Sequence, residues 1–164
     1  MLSKRHFIAG AGLVLCCLAL QSTALAHGAS VGALRIEHPY AVQSPTDPNQ
    51  WLVYFRGIRN SGKQADRLLS ASTSLAGEVL LQRVLALSSK EPLAMASVEI
   101  PANATMPMRH DLGEYRLLIK SLKQAIKVGD RFDLTLTFEN AGTQKVTVYA
   151  QSAHAASHDE HKHE

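Results

Sequence analysis

The chain has 164 residues and sets 17 Lys and Arg against 14 Asp and Glu, a formal charge of +3 with no block of like sign. Lys4 and Arg5 fall in a leader and the remainder is almost neutral, so the pI near 9.0 makes no electrostatic case for nucleic acid as a partner. The only two cysteines, Cys16 and Cys17, lie in the same leader, which excludes a disulfide framework and cysteine-based catalysis from the rest of the chain.

The leader comes first. Lys4, Arg5 and His6 form a basic start, Phe7 to Leu20 an apolar run, and Ala24, Leu25 and Ala26 a small-residue cleavage point. Residues 1–26 are thus expected to be a signal peptide, removed after Ala26, that exports the protein to the periplasm. An apolar run of about fourteen residues falls short of the roughly twenty that span a bilayer, which weighs against the alternative of a retained anchor. Leu15 is not the small residue that lipid attachment at the following cysteine requires, so no membrane association is expected after cleavage.

Strand patterns follow. "VGALRIEHPYAV" is the first. "QWLVYFRGI" sets Trp51, Val53 and Phe55 on one face and leads into the turn residues of "NSGKQAD". "DRLLSAS", "GEVLLQRVLAL", "MASVEI" and "EYRLLIKSL" continue the series. "RFDLTLTFENAG" alternates most clearly: Phe132, Leu134, Leu136 and Phe138 form one face, Thr135 and Thr137 the other, and "QKVTVYA" is its hairpin partner. In "SLAGEVLLQRVLAL", Leu75, Val79 and Leu80 recur at helical spacing, so a helical turn is expected at its start. Seven or eight short strands predict one all-β, antiparallel sandwich over 27–150. Residues 151–164 lose apolar periodicity and read as a disordered, histidine-rich tail.

Nothing in the chain points to an enzyme. GxSxG, a Walker loop, GxGxxG and HExxH are all missing, and the acidic residues sit mostly on the polar sides of the strand patterns.

The order of "HPYA", "VYFRGIRNSGKQADRLLSASTSLAGEVLLQ", "MASVEIPANA", "GEYRLLIKSLKQAIKVGDRFDLTLTFENAG" and "KVTVYA" resembles the periplasmic copper chaperone family PCu(A)C over about 34–149. That resemblance implies a cupredoxin-like β-sandwich that carries Cu(I) toward cytochrome oxidase assembly. It also implies a copper site of two His and two Met, a soft donor set suited to Cu(I). Carried onto this chain, the first His position holds Gln82, one Met position keeps Met95, and the His and Met of the last pair are Arg116 and Leu118. Three of four donors are replaced, so the family's core site is expected to be degenerate.

Other donors remain. "MPMRH" places Met106, Met108 and His110 at alternate positions, so an extended strand would show all three on one face as a Cu(I) site; ordinary packing is the competing reading. His27 would become the amino terminus, where its amine and imidazole can chelate Cu(II) if a second histidine such as His38 lies nearby. In the tail, His154, His158, His161 and His163 lie among Asp159, Glu160 and Glu164, which suits Cu(II) first and Zn(II) second; a merely solvating tail is the alternative. The expected function is copper handling in the periplasm through that tail, with a copper-receiving protein or oxidase assembly factor as partner. The competing reading is a metal-free interaction module.

Overall fold

Runs such as Trp51–Phe55 and Leu117–Ile119 cannot hide on one side of a strand, and they decide how the sheet is layered. The computed structural model describes residues 28–85, 91–112 and 114–153. Its strands are β1 (Gly28–Val31), β2 (Leu34–Gln43), β3 (Trp51–Asn60), β4 (Asp66–Ser72), β5 (Ala76–Arg83), β6 (Leu93–Ala94), β7 (Val98–Ile100), β8 (Ala104–Met108), β9 (Tyr115–Leu122), β10 (Arg131–Phe138) and β11 (Thr143–Ala150). They form one curled sheet in the order β6-β5-β9-β3-β2-β11-β10-β4-β7, with β1 added to β2 and β8 to β3. Every pair is antiparallel except β11 with β2.

The all-β sandwich expected from the strand patterns is present, with more and shorter strands. The first pattern divides at a two-residue turn, where Gly32 takes a φ of 55° that glycine adopts without strain. The expected helical turn at Leu75 is an ordinary turn that leads straight into β5. There Val79 and Leu80 point to opposite sides of a strand, because pairing with β9 outweighs local helical spacing.

The inner layer holds Trp51, Val53, Phe55, Phe132, Leu134, Leu136 and Phe138, as the alternation predicts, and Thr135 and Thr137 are only half-buried. A second, smaller apolar cluster covers the other side of β2, β3 and β9 through Tyr40, Val42, Leu52, Tyr54 and Leu118, with Leu80 of β5 against it. Register explains the cluster. Val42 faces Leu52, Leu52 faces Leu118 and Leu118 faces Leu80, so four strands place one apolar side chain each in a single row. One residue pair further along, Tyr40 faces Tyr54 and Arg116 faces Gln82. The packed chain runs on past β11: the Gln151 N–H donates to the Ala41 carbonyl, and Gln151 is buried.

Candidate metal centre

The positions that the resemblance assigns to copper ligands on β5 and β9 fall together. Gln82 and Arg116 are direct cross-strand partners, and Leu118 stands two residues along β9 on the same face. Side chains directly opposite in an antiparallel pair lie about 5 Å apart at Cβ, close enough to share one small cation. Here they share a hydrogen bond instead. Arg116 Nε donates to Gln82 Oε1 at 2.9 Å. Arg116 is half-buried and Gln82 buried.

Aromatic rings complete the surface. Tyr54 stacks on Tyr40 with centroids 5.7 Å apart, and the His110 ring meets Tyr54 edge-on at 5.6 Å. The His110 N–H donates to the Tyr40 hydroxyl at 3.0 Å, which fastens the loop after β8 onto this face. Burial pushes the Tyr54 hydroxyl above its ordinary value of 10.0, and the Arg116 charge and a hydrogen bond between the two side chains draw it part of the way back. The fold thus favours the neutral phenol. Its contribution to stability is present below pH 10 and is lost as pH rises through the shifted value.

The donor set does not fit copper. A carboxamide oxygen is a hard, weak donor, leucine has no lone pair, and a guanidinium brings a permanent cation to the spot where a cation would sit. Met95 does not repair this. Ala94 pairs with Gln82, so Met95 points to the other side of the sheet, where it packs against the main core; its N–H donates to the Leu81 carbonyl.

Met106 and Met108 do share one face of β8, and both are buried in the main core beside Ile58 and Phe55. The expectation that His110 joins them is corrected. β8 ends at Met108, the chain turns, and His110 lies against Tyr54 in the outer cluster instead. Arg109 holds that turn by two bonds to Asp111, Nε to Oδ1 at 3.0 Å and Nη2 to Oδ2 at 2.8 Å. Among the described residues no three or more of His, Cys, Asp and Glu gather in a metal-holding group. His27, His154, His158, His161 and His163 lie outside the described residues.

The Tyr40–Tyr54–Arg116–Gln82 row was not singled out from sequence. Its signal was the continuous apolar runs of β2 and β3, which imply burial on both faces.

The LpqE-like family, named for a lipoprotein, has a model that matches residues 34–150. No curated protein matches the chain. Among solved structures, the copper-bound PCuAC domain from PmoF2 superposes with a TM-score of 0.65 at 20% identity, covering 77% of this chain and 98% of its own. The apo PCuAC domain from PmoF1 gives 0.64 at 21% identity, covering 77% and 99%. The solution structure of Cu(I)-DR1885 from Deinococcus radiodurans gives 0.56 at 20% identity, covering 78% and 83%. The chain therefore has the fold of these domains.

Proposed function

This chain belongs to the LpqE-like family, and from that premise we propose that it is an exported, non-enzymatic copper-handling protein that holds copper outside the β5–β9 face to which the PCu(A)C resemblance assigns the ligands. The observation that carries this reading is the Arg116–Gln82 hydrogen bond on β5 and β9. It keeps the sandwich of copper-binding domains while filling the ligand positions with a neutral amide and a cation. Copper then falls to His154, His158, His161 and His163 of the tail, with Asp159 and Glu160 beside them. The histidines follow in sequence shortly after Gln151, whose N–H donates to the Ala41 carbonyl of β2. Neutral imidazoles and carboxylates favour Cu(II), with Zn(II) second. A periplasmic copper-receiving protein or oxidase assembly factor is the class of partner that suits such cargo.

Cu(II) titration of the mature chain, with and without alanine at the four tail histidines, tests the reading. Substitution is expected to remove most Cu(II) binding at pH 7. Lowering the pH of the unsubstituted chain below about 6 is expected to do the same, because a protonated imidazole has no lone pair to donate. Undiminished Cu(II) binding by the substituted chain would sink the assignment to the tail.

A second reading, a metal-free interaction module in copper or oxidase assembly, has its own observation. Leu85, Leu93 and Leu112 are half or more exposed around the β5–β6 hairpin and the loop before β9, the end of the sheet that carries Arg116. A mature chain with its tail intact that takes up no Cu(II) at pH 7 would favour it.

A further inference from the structure

Arg116 carries a charge that nothing else in the row offsets. Its side chain is half-buried, where a cation loses part of its hydration and ordinarily gains a carboxylate in return. Among the described residues no carboxylate pairs with it. The acids on and around β5 and β9 are spent on other cations: Glu78 on Lys120 at 3.0 Å, Glu114 on Arg83 at 3.2 Å and Asp111 on Arg109 at 2.8 Å.

The partners Arg116 does have are neutral, and each keeps a donor in hand. Gln82 Oε1 accepts from Arg116 Nε at 2.9 Å. A guanidinium can only donate, so the amide must turn its oxygen to Arg116, which leaves its NH2 for another group. The side-chain hydrogen bond between Arg116 and Tyr54 likewise enters the hydroxyl oxygen, so the phenol's own O–H remains to donate. Part of the guanidinium's donor fork is also left unspent. Stacking on Tyr40 and the edge-on His110 ring hold Tyr54 in place. The row is therefore rich in donors, poor in acceptors and positively charged, a pattern that repels a metal ion and fits an anion.

We propose that Arg116, Tyr54 and Gln82 form a binding site for a carboxylate. A carboxylate is planar, brings a single negative charge to the single guanidinium, and accepts from the arginine fork and a neighbouring hydroxyl at once. A phosphate dianion would bring more charge than one cation offsets. The carboxylate has two sources, a small free acid or an acidic side chain on a partner protein. Leu85, Leu93 and Leu112, exposed at this end of the sheet, offer apolar contact to the neighbours of a protein-borne acid and nothing to a free one. The site uses no residue of the tail, so it stands whether or not the tail binds copper.

The test follows the mature chain by heteronuclear NMR during titration with acetate and with a capped Leu-Glu-Leu peptide, the capped Leu-Gln-Leu peptide serving as the uncharged control. The Arg116 Nε–H and the amides of Gln82 and Tyr54 are expected to shift with both acids and to stay fixed with the control. Arg116→Gln should abolish the response. Arg116→Lys, a point charge without the fork, should weaken binding about tenfold. Tyr54→Phe should weaken it about fivefold, the effect of one lost hydroxyl donor. Circular dichroism checks that each variant keeps the β-sandwich, and the shifts of the unsubstituted chain decide the matter where a variant does not fold. Tighter binding of the Leu-Glu-Leu peptide assigns the site to an acidic side chain of a partner protein, and equal binding of acetate assigns it to a free acid; either result carries the proposal. No Arg116 response to the acids, an equal response to the glutamine peptide, or undiminished binding by folded Arg116→Gln overturns it, as does tighter binding of inorganic phosphate than of either acid.

Discussion

Gln82→His, Arg116→His and Leu118→Met together are expected to turn this domain into a tight Cu(I) binder. The three positions already share one face: Gln82 and Arg116 oppose each other on β5 and β9, and Leu118 follows on β9 over the row formed by Val42, Leu52 and Leu80. The substitutions supply two imidazoles and a thioether, soft enough for Cu(I), and remove the guanidinium that repels a cation. Met95 faces the main core and is not needed for three-coordinate binding. A gain of about three orders of magnitude, or ~4 kcal/mol, is expected in competition against a Cu(I) chelator. A folded triple variant that binds Cu(I) no better than its parent would show that the face has lost the geometry as well as the donors.

The largest effect on stability is expected at Asp66, far from any metal. Its carboxylate is buried and accepts from three backbone N–H groups, those of Arg67 at 2.7 Å and of Asn140 and Ala141 at 2.9 Å. One side chain thereby ties the start of β4 to the turn between β10 and β11, 75 residues away in the chain. Asp66→Ala removes the shared acceptor of three part-buried backbone donors and unties β4 from the β10–β11 turn, and should cost about 3 kcal/mol. For a domain of this size that lowers the melting temperature by roughly 12 °C. Asp66→Asn keeps one acceptor oxygen and should fall between. Denaturant unfolding that places Asp66→Ala within about 0.5 kcal/mol of the parent would contradict this role.

How far these features could be read from sequence depended on whether a strand buries one face or two. Where only one face is covered, alternation is clean: Phe132, Leu134, Leu136 and Phe138 were identifiable as core because Asp133, Thr135 and Thr137 separate them. β3 buries Trp51, Val53 and Phe55 inward and Leu52 and Tyr54 outward. A continuous apolar run carries no period, so the outer cluster stayed hidden. Leu75, Val79 and Leu80 misled in the other direction, since three apolar residues match helical spacing by chance and only the pairing of β5 with β9 settles the matter.

The replaced ligands were legible from the resemblance as residue types. That Arg116 would donate to Gln82 was not, because it depends on two strands 34 residues apart coming into direct register. His110 was misplaced because alternate spacing implies one face only while the strand lasts, and β8 stops at Met108. The β1–β2 pairing was likewise hidden, because the single "VGALRIEHPYAV" pattern did not divide at Gly32.

The central claim is that copper is held away from the β5–β9 face, and Cu(I) competition titration of the mature chain with alanine at His154, His158, His161 and His163 addresses it most directly. The account predicts no tight Cu(I) binding, and no change on Met95→Ala, because Gln82, Arg116 and Leu118 offer no soft donor and Met95 lies on the opposite side of the sheet. Tight Cu(I) binding by that tail-silenced chain would contradict the account and point to the core thioethers of Met106 and Met108 instead.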